Sequence, residues 1–116
     1  SEEPITLVDA VTTRGIDEYN WHTGEVTTFA ANERVYVWSL WEHALGYHTA
    51  RFKWYKPNNA VFSDVADPYN NMQFCGLAWW HSIKGGPNLD IGTWRVEIYM
   101  DGELKTSLNF DVIAAK

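Results

Sequence analysis

A chain of 116 residues is long enough for one domain spanning 1–116, burying roughly two-thirds of its unfolded surface around one core. Its net charge of −6, from 15 acidic and 9 basic residues, repels phosphates, which argues against nucleic acid and anionic membrane as partners. The lone Cys75 excludes an internal disulfide and a thiolate zinc cluster, and no apolar run has the length of a membrane span.

No window carries sustained helical periodicity, and short strand-like runs follow one another between turn residues. The first covers residues 5–10 and the second 25–30. The third, 33–41, is apolar on both faces: Val35 and Val37 on one, Tyr36, Trp38 and Leu40 on the other. It is therefore a central strand, or its second face is covered or binds something. The fourth, 49–55, alternates Ala50, Phe52 and Trp54 with Thr49, Arg51, Lys53 and Tyr55, and Lys56-Pro57-Asn58-Asn59 ends it. Residues 60–63 read as a short edge strand and 63–71 as an oxygen-rich loop. The next run is 72–81, followed by a loop at Gly85-Gly86-Pro87-Asn88.

The last two runs, 93–100 and 104–113, alternate cleanly and are joined through Asp101-Gly102, a hairpin signal. A two-residue loop alone would set Val96 opposite Ser107, mixing the apolar face with the polar one. A three-residue loop, Met100-Asp101-Gly102 with Gly102 left-handed, repairs the parity. It would pair Val96 with Thr106, Ile98 with Leu104, Trp94 with Leu108 and Glu97 with Lys105. Shared strand parity predicts a common core of Phe52, Trp54, Trp94, Val96, Ile98, Leu108 and Phe110. If the fourth strand and this hairpin share a sheet, Arg51, Lys53, Tyr55, Arg95, Glu97, Tyr99, Asn109 and Asp111 face outward together.

The segment Gly92-Thr93-Trp94-Arg95-Val96-Glu97-Ile98-Tyr99-Met100-Asp101-Gly102, with Phe110-Asp111-Val112, resembles the closing hairpin of immunoglobulin-like modules found in bacterial multidomain secreted proteins. Trp54 in Phe52-Lys53-Trp54-Tyr55 is similar to the core Trp of such folds. The resemblance spans about the last quarter of the chain plus that strand, without the antibody-type cysteine pair. It implies an all-β, antiparallel, immunoglobulin-like β-sandwich of about seven to eight strands, in a secreted or extracellular setting.

Catalytic motifs are absent: no Gly-x-Ser-x-Gly elbow, no phosphate-cradling glycine loop, no His-Glu-x-x-His pair. Cys75 with His81 is a weak nucleophile–base candidate, and the chain reads as a non-enzyme. His22, His43, His48 and His81 match no strong zinc spacing, although Glu42, His43 and His48 cluster near one loop. No cofactor is expected, but Asp64, Asp67 and Asn70 supply the oxygen ligands a structural calcium uses. The informative surplus is aromatic: seven Trp, six Tyr and five Phe. Flat rings beside hydrogen-bonding groups suit sugar rings, so Trp21, Trp38, Trp41, Tyr55, Trp79 and Trp80 are the candidate ligand contacts. The expected function is a non-catalytic carbohydrate-binding module for a neutral polysaccharide, tethered to a secreted enzyme. The alternative is an immunoglobulin-like spacer or protein-interaction module. Exposed aromatics in a line or groove favour the first, and near-complete aromatic burial the second.

Overall fold

The computed structural model describes residues 3–85 and 88–115, so Gly86 and Pro87 of the predicted glycine loop lie outside the described residues. Eight strands form two facing sheets, and the described residues contain no helix. They are β1 (Thr6–Thr13), β2 (Thr28–Ala30), β3 (Val35–Glu42), β4 (Gly46–Tyr55), β5 (Val61–Asn71), β6 (Leu77–Ile83), β7 (Gly92–Met100) and β8 (Glu103–Ile113). One sheet has the order β1-β3-β6, the other β2-β8-β7-β4-β5. The sandwich is mixed, not purely antiparallel as expected, because the three-residue β2 runs parallel to the end of β8. Antiparallel neighbours need only a hairpin, whereas β2 and β8 are far apart in sequence and meet as edge and neighbour.

Side chains from the two inner faces interdigitate in one core. Phe52, Trp54, Trp94, Val96, Ile98 and Phe110 are buried there as their parity predicts, and Leu108 packs half-buried against them. Trp41 and Trp79 join from the three-stranded sheet. Each buried indole has a partner for its N–H: Trp41 Nε1 donates to Ser39 Oγ (2.8 Å), Trp94 Nε1 to the Asp90 carbonyl (2.8 Å) and Trp79 Nε1 to Asp67 Oδ2 (2.8 Å). Wide aromatic burial is thereby reached without orphaned donors.

The closing hairpin corrects the predicted register. Its loop has two residues, Asp101 (φ 52°) and Gly102 (φ 85°), both left-handed, as a tight hairpin requires. Met100 pairs with Glu103, Val96 with Leu108, Ile98 with Thr106, Trp94 with Phe110 and Glu97 with Ser107. The extra residue that restores parity is Lys105 in β8, where the ladder slips between Ile98 and Tyr99. An extra residue in either strand repairs the faces. Met100 stays in the ladder because it is buried against the core and pairs with Ala50 of β4.

Strand β5 is the second correction. The predicted edge strand and the oxygen-rich loop after it are one continuous strand of 11 residues along the rim of the five-stranded sheet. Turn-forming Asp, Pro and Asn are tolerated because only one side of the strand has to pair, so Pro68 costs no essential ladder bond. The five-stranded sheet extends beyond the three-stranded one. β6 lies over β4, where His81 stacks on Phe52 (ring centroids 5.6 Å, interplanar 10°). β5, one strand further out, has no strand above it.

Candidate functional site

The two outward faces carry different chemistry. On the five-stranded sheet, β4, β7 and β8 place Arg51, Lys53, Tyr55, Arg95, Glu97, Tyr99, Asn109 and Asp111 side by side, as expected. Those on β4 and β7 engage one another and their neighbours. Tyr55 and Tyr99 hydroxyls both donate to Glu97 Oε1 (2.8 and 2.9 Å). Arg51 makes a two-pronged contact with Asp64 (2.7 and 2.6 Å) and lies over the Tyr99 ring. The Arg95 guanidinium covers the Tyr55 ring at 4.0 Å. The hydrogen bond to anionic Glu97 raises the Tyr99 pKa, and the Arg51 contact lowers that of Asp64. Tyr55, a predicted ligand contact, therefore has its hydroxyl and one ring face engaged by its own sheet.

The outward face of the three-stranded sheet is aromatic instead. β3 presents Tyr36, Trp38 and Leu40, and β6 presents Ala78, Trp80 and Ser82 as their cross-strand partners. The 14–27 segment folds across it as a small hairpin. Asp17 nucleates that turn: its Oδ1 accepts from the amides of Tyr19 (2.8 Å) and Trp21 (3.0 Å), and left-handed Asn20 completes it. Trp38 pins the segment by donating Nε1 to the Asn20 carbonyl (2.8 Å), and Trp21 and His22 pack on its ring at 4.5 and 4.7 Å. This explains the two apolar faces read in β3: the second is covered by chain at Trp38.

Of the six predicted ligand contacts, Trp38 (0% exposed), Trp41 and Trp79 are buried and are corrected to packing residues. Trp21 and Trp80 remain open, at 43% and 40%. They belong to one patch: Trp21 rests on Trp38, the cross-strand partner of Trp80, and Tyr36 sits 6.0 Å from the Trp80 ring. Hydrogen-bonding groups border it at Ser82 and at Arg34, whose Nη1 donates to Ser82 Oγ (3.1 Å). Tyr55 lies on the other sheet and does not join them.

A groove of about 320 Å³ runs along the rim between β6 and β5, lined by Asn20, Asp67, Tyr69, Phe74, Trp79 and Trp80 among others. Tyr69 and Phe74 are not among the six predicted ligand contacts. Their signal, an aromatic in a polar stretch, is indistinguishable there from an ordinary turn residue.

The calcium expectation is not supported by geometry. In strand β5, Asp64 and Asn70 lie on the outward face, opposite Lys53 and Tyr47, while Asp67 points inward. Asp64 is occupied by Arg51 and Asp67 by Trp79. Among the described residues no group of three His, Cys, Asp or Glu side chains is placed to hold a metal. His48 is tied to Asp101 Oδ2 (2.6 Å) and the Leu45 carbonyl (3.0 Å), and His43 lies 3.6 Å from Glu3. Cys75 is exposed in the β5–β6 connection. His81 instead faces the core rim, where its Nδ1 accepts from Trp54 Nε1 (3.1 Å) and burial lowers its pKa, partly opposed by Asp67.

No protein-family model and no curated protein matches the chain. Solved structures match in fold. An immunoglobulin-like protein from Pseudomonas aeruginosa superposes with a TM-score of 0.57 at 8% identity, covering 97% of this chain and 99% of that one. Part of the Pseudomonas fluorescens alkylpurine DNA glycosylase AlkC, in complex with DNA containing an abasic site analogue, superposes with a TM-score of 0.62 at 12% identity. That match covers 95% of this chain but 30% of the glycosylase. At these identities the likeness concerns the fold alone: a two-sheet β-sandwich similar to an immunoglobulin-like protein.

Proposed function

We propose that the chain is a non-catalytic carbohydrate-binding module, which holds a neutral polysaccharide on the patch of Trp21, Trp80 and Tyr36 and is tethered to a secreted, polysaccharide-active enzyme. The observation that carries this reading is selective exposure. Five tryptophans are buried, while the two that stay open share one face with hydrogen-bonding Arg34 and Ser82 beside them. Indole faces offer apolar area for the C–H face of a sugar ring, and the flanking polar groups can serve its hydroxyls. Such contacts use no net charge, so retention on glycan should be nearly insensitive to salt.

The second reading is an immunoglobulin-like spacer or protein-interaction module of a secreted multidomain protein. The burial of five tryptophans and the recurrence of this fold within a much longer chain favour it. Affinity electrophoresis and pull-down on cellulose, chitin, xylan and soluble glucans test the choice. Retention of the wild type, with Trp21→Ala and Trp80→Ala each weakening it about tenfold or more, about 1.4 kcal/mol, supports the polysaccharide reading. Failure of every glycan to retain the wild type removes it in favour of the spacer.

A further inference from the structure

Four strands form the edges of the two sheets, and three of them are blunted. β1 has a register slip between Leu7 and Asp9, and its far end is bridged by the 14–27 segment through Thr13–Glu25. β2 is three residues long. β5 carries Asp64, Asp67 and Pro68. Charges, bulges, shortness and proline are the means by which sheets prevent strand addition. β6 has none of these: Leu77-Ala78-Trp79-Trp80-His81-Ser82-Ile83 has no carboxylate, Lys, Arg or Pro. Among the described residues it pairs with β3 alone, and no further backbone hydrogen bond engages its other side.

What lies beside that open edge is unusual. The inner face of β5 projects past β6, and its inward residues Val65 and Tyr69 are 36% and 47% exposed, although Val65 is paired with the buried core residue Phe52. Tyr69 meets Trp79 edge-on at 6.2 Å. The groove between β6 and β5 is thus roofless over a half-apolar floor. A second copy cannot add its own β6 antiparallel to this edge about a two-fold axis. With β6 beside its symmetry mate, the protruding β5 of one copy would occupy the place of β4 in the other. The space admits one extended segment, not a sandwich.

We propose that the β6 edge is a docking site for a single extended peptide segment of another protein, which adds as a fourth strand to the three-stranded sheet above β5. The segment's chemistry follows from the floor. Alternate residues should be apolar, to cover the exposed Val65 and Tyr69, because successive side chains of a strand point to opposite faces. The remaining residues point to the outer face of the sheet, beside Trp80, and should be uncharged or basic because the chain carries −6. Main-chain hydrogen bonds to β6 would supply affinity, and the floor would supply register.

The probe is a random linear nonapeptide display library, selected on the full chain with Val65→Asp as the counter-selection target. An inward carboxylate at position 65 should bar strand addition, and Val65 is exposed enough for the variant to fold, which a melting curve verifies. The expected result is enrichment of peptides with period-two apolar alternation. A synthetic copy should lose binding about tenfold or more when alternate amides are N-methylated, because the ladder then lacks donors. Amide exchange within 77–83 should slow on binding. Enrichment that the Val65→Asp chain retains, N-methylated peptides binding as well as their parents, or no enrichment at all would each overturn the proposal. Trp21→Ala should leave peptide binding unchanged while weakening glycan retention, so this site and the polysaccharide patch stand or fall separately.

Discussion

The two outward sheet faces hold similar numbers of aromatic rings but dispose of them differently. At the centre of the five-stranded sheet Tyr55 and Tyr99 each have charges beside them: Arg95 over Tyr55, Arg51 over Tyr99, and Glu97 between the two hydroxyls. On the three-stranded sheet Trp38 is roofed by Trp21 and His22, and Trp21 and Trp80 then face water without such partners. Apolar surface already used by its own chain offers a ligand little. Apolar surface left uncovered, where the fold could have buried it, is where binding is to be sought.

The strongest way to break that comparison is to treat a buried indole as if it were a surface one. Trp54→Ala should destabilise by roughly 3–5 kcal/mol, read from denaturant midpoints, because it removes a fully buried ring and opens a cavity. Trp21→Ala should shift the same midpoint far less. Equal losses would mean that Trp21 is a core residue and that the patch is not a surface.

Trp38→Phe asks whether the roof is pinned by its hydrogen bond. Loss of the N–H removes the hydrogen bond to the Asn20 carbonyl, at a cost of about 0.5–1.5 kcal/mol, since Asn20 is exposed and water can replace the donor. Proteolysis within 14–27 should accelerate, and an unchanged cleavage rate would show that packing alone holds the segment. Gly102→Val should cost roughly 1 kcal/mol or more by thermal melting. The cost is purely conformational, since a Cβ there meets nothing within 4 Å while φ is +85°.

The smallest expected effect is on pH. His81 is neutral in the fold, where Nδ1 accepts from Trp54, and its folded pKa lies below the ordinary 6.5. The unfolded chain therefore binds the proton first. Stability should be full above pH 6.5 and fall as pH drops from there toward the folded value. Asp64 and Glu33, whose pKa values are lowered by hydrogen bonds to Arg51 and Arg14, contribute fully above the ordinary carboxylate values and lose that contribution as pH falls from there through their lowered ones. A His81→Gln variant should flatten the upper limb of the curve. A limb that persists in the variant would assign it to another group.

Much of the fold was legible because period-two alternation is a local property. The faces of β4, β7 and β8, the grouping of Phe52, Trp54, Trp94 and Phe110, and the left-handed Gly102 follow from neighbours in sequence. Whether Met100 or Lys105 supplied the extra hairpin residue did not, since both restore parity and only the core distinguishes them. Asp64, Asp67, Pro68 and Asn70 read as a turn because such residues favour turns. Pairing with β4 overrode that preference on an edge where one side of the strand needs no partner.

The candidate site divides in the same way. Composition and periodicity alone showed seven Trp, more than a sandwich core of this size usually needs, and two apolar faces on β3. Which rings remained open depended on packing between segments far apart in sequence. Trp38 and Trp80 are cross-strand partners with the same outward direction, yet one is buried and the other exposed. The difference is made by residues 14–27, which Asp17 turns and Trp38 anchors. Burial is a property of what lies above a residue, and strand periodicity specifies direction without specifying cover.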